Sequence, residues 1–71
     1  MIYVNCPSSQ DQVRKILEEA QEDITFKFVE KNGIKMTFEV NTEDLDAAVD
    51  KAKALIRATE IGRILYFQVT K

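Results

Sequence analysis

Three groups of side chains in this sequence have the types and spacing for chemistry. The first is Cys6-Pro7-Ser8-Ser9, a thiol between a strand end and the start of a helix. Helix N-termini lower thiol pKa values, and the thiolate is the attacking species in redox and transfer enzymes. The second is the run of carboxylates Glu18, Glu19, Glu22 and Asp23, which raises the question of a divalent cation. The third is the tyrosine pair, Tyr3 and Tyr66, whose rings suit base stacking or a protein contact.

Each group also has a plainer explanation. Cys6 shares strand parity with Ile2 and Val4, so it points inward, where free cysteines commonly sit. It is the only cysteine, which leaves no resolving thiol, no internal disulfide and no Cys-x-x-Cys metal carrier. Hard-cation loops interleave carboxylates with turn residues and carbonyls, whereas the acids here crowd the C-terminal end of a helix and form a solvated corner. The chain has no histidine, so it lacks the usual general base at neutral pH and the commonest transition-metal ligand. Its two glycines, Gly33 and Gly62, are both assigned to turns, which leaves no phosphate-cradling loop. No acid/base dyad stands out. The expectation is a chain that is not an enzyme, with no catalytic residue, no metal and no cofactor.

Two short stretches resemble known families. Ile2-Tyr3-Val4-Asn5 resembles the strand-one signature of RNA-recognition motifs, and the resemblance implies that Tyr3 stacks a base. The longer strand-three signature of that family carries glycine and aromatics on the open face, where this chain has Lys35, Thr37 and Glu39. Cys6-Pro7-Ser8-Ser9 resembles the Cys-Pro-x-Pro start of small sulfur-transfer proteins, with Ser9 in place of the second proline.

The elements that position these residues are readable from period and punctuation. Met1 to Cys6 reads as a strand, ended by Pro7, which has no N–H to give. Ser8 or Ser9 is expected to cap a helix, with Asp11 or Gln12 completing a capping box. Val13, Ile16, Leu17 and Ala20 form its apolar stripe. Two alternating runs then flank Asn32-Gly33. A two-residue loop at Asn32-Gly33 would set their apolar sides on opposite faces, and a one-residue slip flips a whole set. The expectation is therefore a three-residue loop, Lys31-Asn32-Gly33, that pairs Phe28 with Met36, Phe26 with Phe38 and Ile24 with Val40. Thr42 is expected to cap a second helix with Leu45, Ala48, Val49, Ala52, Ile56 and Thr59 on its stripe and Gly62 just past its end. Arg63 to Lys71 reads as the last strand.

The order β-α-β-β-α-β in 71 residues points to one α+β domain. Its simplest packing is a four-stranded antiparallel sheet with both helices on one face, the ferredoxin-like split βαβ arrangement. The expected core is Ile2, Val4, Val13, Ile16, Leu17, Ala20, Ile24, Phe26, Phe28, Met36, Phe38, Val40, Leu45, Val49, Ala52, Ile56, Leu65, Phe67 and Val69.

The helix-free side of the sheet is then the candidate interaction surface. Tyr3, Asn5, Lys27, Val29, Lys35, Thr37, Ile64, Tyr66 and Gln68 are its members, with Tyr3 and Tyr66 on neighbouring strands. A net charge of −2 disfavours nucleic acid, whose binders carry a basic excess. The leading expectation is a compact scaffold or protein-interaction module that self-associates or binds another protein through this face. An engineered or redesigned sequence without biochemical function accounts for the same facts. The alternative is single-stranded nucleic-acid binding through Tyr3 and Tyr66. No apolar run reaches membrane-spanning length, no secretory leader pattern precedes the first strand, and a lone thiol suits a reducing compartment. A cytoplasmic location with no membrane partner is the expectation.

Overall fold

The computed structural model describes residues 1–20 and 22–71. Its elements run β1 (Ile2–Asn5), α1 (Gln10–Glu19), β2 (Phe26–Asn32), β3 (Lys35–Val40), α2 (Leu45–Arg57), α3 (Glu60–Ile64) and β4 (Gln68–Thr70). The four strands form one antiparallel sheet in the order β2-β3-β1-β4. One parity of each strand is buried with the helix stripes. Ile2, Val4, Cys6, Phe26, Met36, Phe38 and Val69 share a core with Val13 and Leu17 of α1 and Ala48, Ala52 and Ile56 of α2. Ile16 and Ala20, expected inside, are half-buried. The small residues Ala48 and Ala52 are fully buried, which lets α2 lie close to the strands.

The hairpin reconciles its two apolar faces by a route the sequence did not disclose. Asn32 pairs with Lys35, so the turn is the two-residue loop Gly33-Ile34 rather than the three-residue loop expected. Gly33 has φ +63 and Ile34 does not have positive φ, the φ pattern of a type II′ turn, whose twist matches the flanking strands. The extra residue that parity demands sits further down β2. Phe28 pairs with Phe38 and Glu30 with Thr37, leaving Val29 as a β-bulge. The expected pairs Phe28–Met36, Phe26–Phe38 and Ile24–Val40 are thus replaced by Phe28–Phe38, Phe26–Val40 and Lys31–Met36.

Phe26 and Phe38 do end on the same side, both buried. Phe28 meets Phe38 edge to face, ring centres 5.8 Å apart, a contact worth roughly 0.5–1.5 kcal/mol beyond its burial. Ile34 sits in the turn and is 51% exposed. Ile24 and Thr25 fall outside β2. There Asn41 replaces the ladder, its Oδ1 accepting from the Thr25 N–H at 3.0 Å and its Nδ2 donating to the Asp23 carbonyl at 3.1 Å.

Helix ends also depart from expectation. Ser9 at the start of α1 is left-handed, φ 56, and its side chain makes no capping bond. A capping side chain needs extended backbone at that position to reach the next turn, so the expected capping box does not form. Gln10, the first residue of α1, makes a different bond set, with Nε2 donating to the carbonyls of Cys6 at 2.7 Å and Gly33 at 3.1 Å. This one side chain ties the end of β1 to the hairpin turn.

In α2 the cap is Asp44, not Thr42. Asp44 Oδ1 accepts from the Ala47 N–H, while Thr42 Oγ1 accepts from the Asp44 N–H. The second helix stops at Arg57, and Thr59 leaves its stripe to cap α3. Thr59 Oγ1 accepts from the Gly62 N–H at 3.1 Å and donates to the Ile56 carbonyl at 2.7 Å. Gly62 is therefore buried inside α3 and does not terminate α2.

Candidate functional site

The face opposite the helices is built by cross-strand partners, whose side chains point the same way. Tyr3 pairs with Thr37 on one side and Thr70 on the other, and Asn5 pairs with Lys35 and Gln68. Lys27 pairs with Glu39. Tyr3, Asn5, Lys27, Lys35, Thr37 and Gln68 are thus brought together as expected.

Tyr3 and Thr37 form the middle of this surface. Lys35 Nζ stands 5.1 Å from the centre of the Tyr3 ring, a cation–π contact that fixes the ring against β3. Thr37 is only 6% exposed, although no helix covers this side. Its cross-strand neighbours are Tyr3 on β1 and Glu30 on β2.

Three expected members sit elsewhere. Ile64 lies in α3 and is 88% exposed, and Tyr66 lies between α3 and β4 and is 73% exposed. The last strand is short because β1 has nothing more to offer. Continuing the register Asn5–Gln68 would set Phe67 against Cys6 and Tyr66 against Pro7. The Cys6 N–H points to β3, where it is given to the Ile34 carbonyl at 2.9 Å, so the next N–H owed to β4 would be that of Pro7, which has none. Tyr3 and Tyr66 therefore do not lie on neighbouring strands. Val29 is the bulge residue and is 45% exposed. The bulge also adds members that alternation misses, because Glu30 opposes Thr37 and Asn32 opposes Lys35. A bulge leaves no mark in a run of alternating residues, so only the pairing reveals them.

The other two chemical candidates resolve into structural roles. Cys6 is fully buried in the core and its Sγ donates to the Ser8 carbonyl at 2.6 Å. At the acidic corner Glu22 pairs with Lys51 at 3.2 Å and Glu18 with Arg14 at 2.8 Å. The same Arg14 guanidinium lies 4.0 Å from the Phe28 ring centre. Among the described residues no group of three acidic, cysteine or histidine side chains is placed to hold a metal ion. No described helix is long and apolar enough to cross a membrane. Comparison with protein-family models, curated proteins and solved structures finds no match to this chain.

Proposed function

We propose that this chain is a non-catalytic scaffold or protein-interaction module on the ferredoxin-like split βαβ arrangement, and that its working surface is the helix-free face of the sheet. The strand order β2-β3-β1-β4 and the succession of elements support that assignment of the fold, with α3 as an added turn between α2 and β4. The observation that carries the functional reading is Thr37. The low exposure of Thr37 on an uncovered face supports reading the side chains around it as an ordered platform. Preorganised surface lowers the entropy lost on binding, and an aromatic ring among polar groups is the composition of protein contacts.

The test is an NMR screen of the labelled domain against itself and a panel of proteins. Shifts confined to Tyr3, Asn5, Lys35, Thr37 and Gln68 support the reading, and shifts elsewhere with this face silent overturn it. Titration with a single-stranded oligonucleotide at low salt is the second arm. A salt-dependent shift of the Tyr3 ring there replaces the protein partner with nucleic acid.

A further inference from the structure

The two edges of the sheet are guarded unequally. An edge strand presents unpaired N–H and C=O groups to any chain that can pair with them, and charges and bulges discourage that. At one edge β2 carries Lys27, Glu30, Lys31 and the bulge at Val29. At the other, the stretch Ile64-Leu65-Tyr66-Phe67-Gln68-Val69-Thr70 has no charge, proline or glycine. The strand β4 itself is short, which is also a guard, but the residues before it prolong the edge. Leu65 is extended, φ −86 and ψ 132. Among the described residues, the main-chain groups of Tyr66 and Phe67 make no hydrogen bond within the chain. The two most exposed large apolar side chains, Ile64 and Tyr66, stand on this same stretch.

We propose that β4 and the preceding Leu65–Phe67 form an association edge for a second copy of this chain, joined antiparallel about a two-fold axis at Gln68. Self-complementarity selects the occupant. With Gln68 opposite Gln68, Tyr66 faces Thr70 of the second copy and Phe67 faces its Val69. Aromatic residues opposite β-branched ones are favourable cross-strand pairs, and no like charges meet. Leu65 faces the one charged residue, Lys71, which already has Asp46 at 2.7 Å. Centring the pairing on Phe67 instead brings Arg63 towards Lys71 of the second copy, so charge favours the Gln68 register. Pairing of β4 with β2 of another copy meets the bulge and three charges. It is also head-to-tail and does not close at two copies, whereas an edge pairing with itself does. The edge pairs through main-chain groups, and of the open face proposed above it shares only Gln68 and Thr70.

Sedimentation equilibrium and amide hydrogen exchange on the full chain, from micromolar to millimolar, test this. The expected result is a reversible dimer in which the Phe67 and Val69 amides, whose N–H groups face away from β1, gain protection as concentration rises. Gln68→Lys sets two lysines opposite each other and weakens the dimer several-fold. Lys35→Glu, on the open face, leaves it unchanged. A monomer at every concentration overturns the proposal. So does a dimer without protection at Phe67 and Val69, or one lost in Lys35→Glu but kept in Gln68→Lys. Should Gln68→Lys fail to fold, the wild-type amides decide the matter.

Discussion

Gly62 of α3 lies directly against the Ile56 carbonyl of α2. A Cβ built on Gly62 would stand 1.7 Å from the Ile56 oxygen and 2.5 Å from its carbon. The contact is with backbone, so no rotamer change relieves it. Gly62 does not have positive φ, so its role is close approach and not turn geometry. Helix propensity alone would favour Gly62→Ala by about 1 kcal/mol. Steric overlap with the backbone opposes this and is expected to win, with a net loss of roughly 1–3 kcal/mol. Urea unfolding measures it, and a neutral or stabilised variant would refute the close packing of α3 on α2.

The bulge makes a sharper prediction. Deleting Val29 leaves Phe28 opposite Phe38 and Glu30 opposite Thr37, now as a regular ladder. The apolar parity of β2 is unchanged on both sides of the deletion. The shortened chain is expected to fold with stability within about 1 kcal/mol of the parent, because it loses only a half-exposed valine. Deleting Lys27 should be far worse, since Phe26 then moves to the position opposite Glu39 and off the core. Ring–ring NOEs between Phe28 and Phe38 report the register in both variants. Loss of that contact on deleting Val29 would show that the pairing is not set as described.

These two sites mark where the sequence was readable and where it was not. Alternation located β1, β2 and β3 and put Ile2, Val4, Phe26, Met36, Phe38 and Val69 inside, because burial on one face imposes a period of two. Parity also demanded an odd residue in the hairpin, but parity does not say where that residue goes. A three-residue turn and a two-residue turn with a bulge satisfy it equally. The edge-to-face contact of Phe28 with Phe38 and the bonds from Cys6 and Gln10 to the turn favour the second, and those are tertiary contacts.

The last strand is shorter than its composition implies for a similar reason. Ile64 to Thr70 has strand composition throughout, but strand pairing needs a partner, and β1 ends at Cys6-Pro7. The Thr59-Glu60 start of α3 was legible, being a capping residue followed by an acid. The stripe running through Thr59 hid it. Of the candidate surface, the half built by β1 and β3 followed from alternation. Glu30 and Asn32 did not, because they lie beyond the bulge.

Lys71 and Asp46 form the exposed ion pair whose titration can be followed. Lys71 is held above its ordinary value of 10.5, first by its side-chain hydrogen bond to Asp46 and then by the attraction of that carboxylate. A lysine whose folded pKa is raised adds stability below pH 10.5 and loses it as pH rises through the folded value. The pair is solvated, so its contribution to global stability is expected to fall within error. The local signal is expected to be clear: Asp46→Asn should lower the Lys71 titration towards its ordinary value, and high salt should reduce the displacement. NMR titration of the Lys71 side chain measures both, and a titration unmoved by Asp46→Asn would remove the pair.

Cys6 separates a structural thiol from a reactive one. Its Sγ is fully buried and bonded to the Ser8 carbonyl, between the end of β1 and the left-handed Ser9. A reagent reaches it only when the chain opens, so alkylation should follow the population of opened molecules. For a stable small domain that population makes the native reaction roughly a thousandfold slower than the unfolded one. Urea well below the unfolding midpoint should accelerate it in proportion to the fall in stability. The Gln10 clamp gives a second handle, because Gln10→Ala frees the Cys6 carbonyl and the hairpin turn together. If the end of β1 opens locally, Gln10→Ala should speed alkylation more than its loss of global stability explains. If only global opening exposes the thiol, the two effects should match. Rapid alkylation of the native parent would contradict the buried position of Cys6 and restore a thiol-dependent activity to consideration.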